Sequence, residues 1–498
     1  MKYAKLQALI PWTLLILCTV CYVSLIFNNN VWMDEAFTAT LVNTDMSGVI
    51  SRSMHDTLPP LYNILLKLMT DAFGYSVPVM KIVSVLPMFF TLLLSATVVR
   101  KRHGLMTASV FMLSLTAMPL MLYFGLEIRM YSLGFFFATA SGIYAYEVLC
   151  SSNRKNWILF TLFSVLAGYS HHFAFVTVGF VYLFLLLYYI MRDRTHIRRW
   201  LFCLLATFIL YLPCMVITLK QMKRVSGYFS MPEITLSVFA RYMLYPYITG
   251  TTVLSVLLGL AVAGLFLYRL ILFLRARRQS RVSGTDVTDA KNDTAAESAA
   301  DSLRHMYALF CLIPCYGVLL FGTAVSKVMT ANIFVDRYLF FSCGLIWLFF
   351  AIEISSLTAS LSGARSVICQ FAVFLFIILI GISSYRIMWG QEYGADPSAM
   401  TAYLAQNVSD EDAVCAVSDT EALFWCLQFY KPGPAYYGSA DDAIRDLSEG
   451  KIKTLWVAVD EGQSLPALPG QDYEAVAAGE FSFDRYHFTL FQMFGNKR

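Results

Sequence analysis

The sequence predicts a polytopic all-α membrane protein of about eleven transmembrane helices with a small extracytoplasmic C-terminal α/β domain. Three observations predict this. The 498 residues are 58% hydrophobic and only 14% charged, with a mean hydropathy of +0.61, whereas a soluble chain carries about 25% charge. The apolar residues gather in runs near the length of about 20 residues that crosses a bilayer as a helix. That pattern stops near residue 386, and short strand-like runs alternating with helical spacing follow.

The first run, about residues 8–27, follows Lys2 and Lys5. It is longer than a signal-peptide core and lacks a small-x-small cleavage site, so it reads as an anchor with a cytoplasmic N-terminus. Further runs lie near 77–99, 105–124, 131–150, 157–170, 173–191, 200–219, 251–274, 306–325, 338–356 and 367–385. Two of these are short and meet at His171 and His172. The basic clusters at Arg100–Arg102, Arg154–Lys155, Arg192–Arg199, Arg275–Arg281 and Arg365 then all fall on one side, the cytoplasmic one by the positive-inside rule. Merging 157–191 into one helix would put the Arg275–Arg281 cluster outside. Residues 279–304, rich in Ser, Thr, Ala and Asp, read as a disordered or loosely helical cytoplasmic loop. The division expected is a membrane domain over 1–385 and an extracytoplasmic one over 386–498.

In the C-terminal region, strands are expected at 412–419, 453–460 and 487–493. Helices are expected at 420–430, capped by Asp419 or Thr420, and at 441–450, ending at Gly450. No glycine-rich nucleotide loop and no HExxH occurs there, and a lid or docking module is the simplest reading. Most of the eleven cysteines lie in or beside apolar runs, without zinc-site spacing. Cys415 and Cys426 could pair in an oxidising space; the reading here is that they do not.

Five polar elements interrupt the outward ends of the spans: VWMDEAFTAT (31–40), HDTLPPLY (55–62), LEIRMY (126–131), YSHHFAF (169–175) and FVDRYLFF (334–341). Ionisable groups at a membrane interface are costly and mark function by default. Each also has a plainer explanation. Asp34 and Glu35 could mark a span end, although an adjacent pair among Trp and Phe is less bland. Glu127 and Arg129, two residues apart, do not face each other on a helix and serve different partners. His171 and His172 could bond backbone. Arg337 could snorkel, and Tyr131, Tyr169 and Tyr338 could be interfacial aromatics. Lys220, Lys223 and Arg224 form either a solvated loop or an anion-attracting rim. Together, a carboxylate with several cations at one membrane face suits a hydroxyl nucleophile and a lipid-phosphate leaving group, with no metal required.

Those five elements, in that order, resemble bacterial membrane glycosyltransferases of the GT-C fold. They are similar to the dolichyl-phosphate-mannose protein mannosyltransferase and lipid A aminoarabinose transferase family. The resemblance covers most of residues 1–345. It implies sugar transfer from a polyprenyl-phosphate donor, undecaprenyl phosphate in a bacterium, to an acceptor hydroxyl on the outer face of the cytoplasmic membrane. It implies Asp34 as the catalytic base or its hydrogen-bond organiser with Glu35 shaping the site, and Arg129 and Arg337 on the donor phosphate; Lys223, from the basic run, is a further candidate for that phosphate. His55, Glu127, Tyr131, His171, His172 and Tyr338 would line the cavity. Asp336 precedes Arg337 where many relatives have Pro. Inversion by direct displacement is implied, with no cofactor or metal. The acceptor partner would be a protein, glycolipid or wall polymer, with no nucleic acid involved. A lipid-linked sugar transporter or flippase is the alternative; such proteins usually show internal duplication, which this sequence lacks. A non-catalytic scaffold or receptor has no reason to cluster five polar elements on one face.

Overall fold

The computed structural model describes residues 2–228, 233–249, 251–282, 293–329, 332–393, 397–419, 421–465, 473–483 and 486–495. Within these, the side chains of 2–6, 222–228, 276–282, 293–299, 392–393, 473 and 483 lie outside the description. The membrane part runs α1 Lys2–Val23, α2 Met33–Val42, α3 Met46–His55, α4 Leu61–Phe73, α5 Val77–Leu94, α6 Arg100–Ala117, α7 Pro119–Leu126, α8 Tyr131–Cys150, α9 Arg154–Ser170 and α10 His172–Arg192. It continues with α11 Ile197–Tyr228, α12 Leu236–Leu244, α13 Thr252–Val282, α14 Asp293–Phe310, α15 Ile313–Val328, α16 Phe340–Ser360 and α17 Ala364–Tyr393. The remainder is α18 Ser398–Asn407, β1 Ala413–Val417, α19 Ala422–Tyr430, β2 Ala435–Tyr437, α20 Ala440–Ser448, β3 Thr454–Asp460, β4 Tyr473–Phe483 and β5 Tyr486–Gly495.

Eight helical stretches among the described residues are long and apolar enough to cross a membrane. One of them, Val77–Ala117, is two spans. Gly104 sits at φ +88°, a conformation glycine adopts freely. The chain reverses there, and Ser95 Oγ donates to the Ala108 carbonyl across the turn at 3.0 Å. The shorter apolar segment Gln7–Val23 and the 17-residue α9 account for the rest of the eleven predicted runs. Pro119 starts α7 at a position where its missing N–H costs nothing. The Asn153 side chain caps α9 by accepting the Asn156 N–H at 2.8 Å.

Composition decides which helices sit inside. Within the apolar 18-residue core of Asp336–Ser360, 89% of residues are buried, against 11% in that of Ala364–Gln391. Thus α16 is central and α17 presents its apolar surface outward. Helix α8 packs on α16 through small residues. A Cβ on Gly134 would lie 2.7 Å from the Phe341 ring; one on Gly142 would strike Leu345, and one on Gly344 would strike Thr139. In lipid, such close approach and the dispersion it allows hold helices together.

The C-terminal sheet has the order β2-β1-β3-β5-β4. Strand β1 is parallel to β2 and β3, and β5 is antiparallel to β3 and β4. The three expected strands and both expected helices are present. Strands β2 and β4 are not legible in the sequence. Strand β2 has three residues, too few for a period. Strand β4 is an edge strand of weak β-formers that pairs with β5 alone and is interrupted by an irregularity at Ala477/Gly479. The cap of α19 is Glu421, whose side chain accepts from Trp425 Nε1 at 3.1 Å rather than capping a backbone N–H, and corrects the expected cap. Asp419 instead accepts from Gln463 Nε2 at 2.9 Å, and Thr420 lies outside the described residues. Of the expected 279–304 loop, 283–292 lie outside the described residues and 293–304 belong to α14. Cys415 and Cys426 are both thiols rather than a disulfide, as expected, and Cys426 Sγ donates to the Val31 carbonyl at 3.8 Å.

The sheet region is seated on the α1–α2 connection. The Tyr430 hydroxyl accepts the Val31 N–H at 2.9 Å and donates to the Asn29 carbonyl at 3.1 Å. Phe37 meets Trp425 edge-on at 5.0 Å. This end of the bundle also holds Asp34. The Arg102–Glu147 pair lies at the other end, since α8 separates Tyr131 from Glu147 by about 24 Å. Replacing Gly344 with Leu should cost about 1–3 kcal/mol by overpacking α8 against α16. The check is the unfolding midpoint in detergent; an unchanged midpoint would contradict this packing.

Candidate active site

The site is assembled around the first turn of α2. Glu35 is its third residue and accepts the Trp32 N–H at 3.1 Å, closing the helix start as a capping box does. Its other oxygen accepts the Ile128 N–H at 2.8 Å. One carboxylate thus satisfies two backbone donors, one beside it in sequence and one, Ile128, 93 residues away. The 127–130 turn is pinned from further sides. Trp32 Nε1 donates to Glu127 Oε1 at 3.1 Å. Ser84 Oγ donates to the Glu127 carbonyl at 2.5 Å and bonds the Tyr62 hydroxyl at 2.8 Å.

Asp34 faces the other way. Its Oδ2 lies 3.4 Å from Arg337 Nη1, with the two side chains 21% and 29% exposed. Arg129 Nη1 donates to Thr38 Oγ1 at 2.8 Å and to the Asp34 carbonyl at 3.4 Å. Both guanidinium groups have capacity left. Arg129 Nε and Arg337 Nε are buried and without a partner among the described residues. Buried donors are rarely left unpaired, so two of them on neighbouring arginines mark a place where an anion fits. Asp336 does not take up the Arg337 guanidinium: its Oδ1 accepts the Arg337 backbone N–H at 2.9 Å.

An aromatic wall continues from the arginine. The His171 ring lies 4.8 Å from Tyr338 and 4.4 Å from Phe341, and 6.5 Å from Tyr131. His171 Nδ1 accepts the Phe173 N–H at 3.1 Å, which leaves the ring proton on Nε2. That Nε2 is buried and has no partner among the described residues, making a third unmet donor. Behind it lies an apolar cavity of about 290 Å³. His171, His172, Tyr338 and Thr57 line one part of it, and Val176, Phe321, Val325 and Met329 supply much of the rest.

Asp34, Glu35, Glu127, Arg129, Arg337, Tyr131, His171 and Tyr338 therefore converge, as the five sequence elements require. His172 lines the adjoining cavity. His55 is exposed at the end of α3, with Nδ1 2.7 Å from the Ser51 carbonyl. The Lys223 side chain lies outside the described residues. Two participants went unselected in the sequence. Thr38, one turn after Asp34, orients Arg129. Asp56, inside HDTLPPLY, is pushed up by burial while the Arg129 charge opposes the shift.

No protein-family model matches the chain, and no curated protein matches it. Solved structures do. ArnT from Cupriavidus metallidurans in the apo state superposes with a TM-score of 0.63 over 96% of this chain and 97% of that one, at 13% identity. The fold is GT-C. ArnT from the same organism bound to undecaprenyl phosphate aligns with a TM-score of 0.60 at 13% identity, covering 98% of each chain. The GT-C match spans both the helical bundle and the C-terminal sheet.

Burial, followed by the negative charges of Glu35 and Asp34, pushes the Glu127 carboxyl well above its ordinary value of 4.5. A carboxyl raised on folding contributes stability below its unfolded value and loses that contribution as pH rises through its folded one. Glu127→Gln should therefore flatten the decline in unfolding midpoint above about pH 4.5. Midpoints of both proteins across pH 4–8 in detergent test this, and parallel curves would count against it.

Proposed function

We propose that this protein is a glycosyltransferase that moves a sugar from a polyprenyl-phosphate donor to an acceptor hydroxyl at the extracytoplasmic face of a bacterial cytoplasmic membrane. One observation carries the reading. A partly exposed carboxylate, Asp34, sits beside two arginines with unmet donors, next to an apolar cavity edged by His171 and Tyr338. A polyprenyl phosphate divides chemically in the same way, into an apolar chain and an anionic head. The bound undecaprenyl phosphate of the structurally similar ArnT supports that donor class.

In this reading the lipid chain enters the cavity and its phosphate meets Arg337, Arg129 and His171 Nε2. The acceptor hydroxyl attacks the anomeric carbon as the bond from that carbon to the phosphate oxygen breaks. The phosphate leaves with the electron pair, and the arginines stabilise its growing charge. The hydroxyl proton passes to Asp34, whose Oδ1 has no bonded partner among the described residues. Glu35 is a positioning residue, since both its oxygens are engaged by backbone N–H groups. The reaction as proposed assigns no step to a metal or cofactor. Lys223 stands as a further cation for the donor, and His55 and His172 as residues near the acceptor and lipid paths. The orientation proposed has the N-terminus cytoplasmic, 1–385 as the catalytic domain and 386–498 facing outward.

Asp34→Asn should insert normally and lose transfer by about 10²–10⁴-fold, the range for a general base. The measurement is transfer of radiolabelled sugar from polyprenyl phosphate in proteoliposomes. Label that crosses the membrane while staying on the lipid would favour a flippase, and near-normal transfer by the variant would remove Asp34 as base. Arg129→Ala should weaken undecaprenyl phosphate binding by about tenfold to a hundredfold, the value of a lost charge-assisted contact. Equal loss of acceptor binding would argue against its phosphate role.

A further inference from the structure

A second cavity, of about 220 Å³, lies where the C-terminal region meets α2, α3 and the turn after α4. Thr40, Asn43, Arg52 and Tyr75 line it from the membrane part, and Gln428, Phe429 and Tyr436 from the other side. Its polar groups are unspent. Thr40 Oγ1 and Gln428 Oε1 are buried with no partner among the described residues. The Asn43 amide and the exposed Arg52 guanidinium likewise make no side-chain bond among those residues. The aromatic side is held in place. The Tyr75 hydroxyl donates to the Ala39 carbonyl at 2.9 Å. The Tyr436 hydroxyl lies 2.9 Å from the Leu427 carbonyl and 2.7 Å from that of Lys431. Gly433, at φ +126°, shapes the rim between two prolines.

A lipid chain would leave these buried polar atoms unpaired, at a cost in free energy. A simple anion would use Arg52 but neither the acceptor Gln428 Oε1 nor the aromatic faces. A pyranose ring uses all of them: its hydroxyls alternate as donors and acceptors, and its C–H face packs on Tyr75, Phe429 or Tyr436. The volume is far above the ~10–15 Å³ that holds one water.

We propose that this cavity is a carbohydrate subsite for the acceptor, so that the acceptor is an oligosaccharide or glycolipid carrying sugar beyond the residue that is modified. The proposal rests on the transferase reading for its link to Asp34. Helix α2 supplies both places: Thr40 lies about 9 Å further along the axis than Asp34 and about 120° round it. A short oligosaccharide bending round α2 spans that separation, and Arg52 at the rim accommodates an anionic substituent.

The test uses the full-length protein in nanodiscs and saturation-transfer NMR with chitobiose, lactose and α-mannobiose. Binding of undecaprenyl phosphate is measured in parallel. The wild type should transfer saturation to at least one disaccharide. Gln428→Leu and the surface change Asn43→Ala should each weaken that signal about tenfold and leave undecaprenyl phosphate binding intact. No transfer to any of the three, or an unchanged signal in both variants, would overturn the proposal. If Gln428→Leu also loses lipid binding, it has misfolded and Asn43→Ala decides. A wild type that binds the disaccharide but not undecaprenyl phosphate would overturn the transferase reading and leave a sugar site standing.

Discussion

The two backbone N–H groups that converge on the Glu35 carboxylate are the constraint on which the site depends. One belongs to Trp32, at the start of α2, and the other to Ile128, in the turn before α8. Without that acceptor, the buried Ile128 N–H would lose its bond to the α2 helix. With it, Asp34 and Arg129 are held side by side although they are far apart in sequence. The neighbouring acids then have different tasks: Glu35 is consumed by architecture, and Asp34 is left partly open to meet Arg337. An adjacent acid pair at an apolar helix start thus divides into one carboxylate held by backbone donors and one left partly open beside an arginine.

Charges elsewhere in the bundle show what a structural pair looks like. Arg269 on α13 places Nε 2.9 and 2.7 Å from the two oxygens of Glu353 on α16, and both side chains are nearly fully buried. Removing either partner would strand the other in a poor dielectric. At Arg129 and Arg337 the nearest carboxylates leave donors unspent. Burial and charge alone do not separate the two cases; the count of satisfied donors does. The same criterion marks Thr40 and Gln428 in the second cavity.

The C-terminal sheet belongs to the same argument. It rests on the α1–α2 connection through Tyr430 and on α2 through Trp425. It therefore buttresses the helix that carries Asp34 while forming one wall of the polar cavity. A lid or docking module, the simplest reading of that region from its sequence, is compatible with such a wall. The apolar cavity by His171 is lined mainly from α10, α11 and α15, whereas the polar one by Gln428 is walled by α2, α3 and the C-terminal region.

The sequence by itself determined the helical spans, the reversal near residue 104, the break at His171, three of the five strands and the cluster of polar elements. These are legible because bilayer length, period and the cost of membrane charge act locally along the chain. Only the tertiary structure decided which groups are spent. The split between Asp34 and Glu35, the entry of Asp56 and Thr38, the exposure of His55 and the second cavity all depend on partners distant in sequence. The edge strand β4 was hidden for a related reason: its alanines and glycine carry little local preference, and pairing with β5 makes it a strand. Hydrogen-bond satisfaction is a property of three-dimensional neighbours, and no local pattern of residues encodes it.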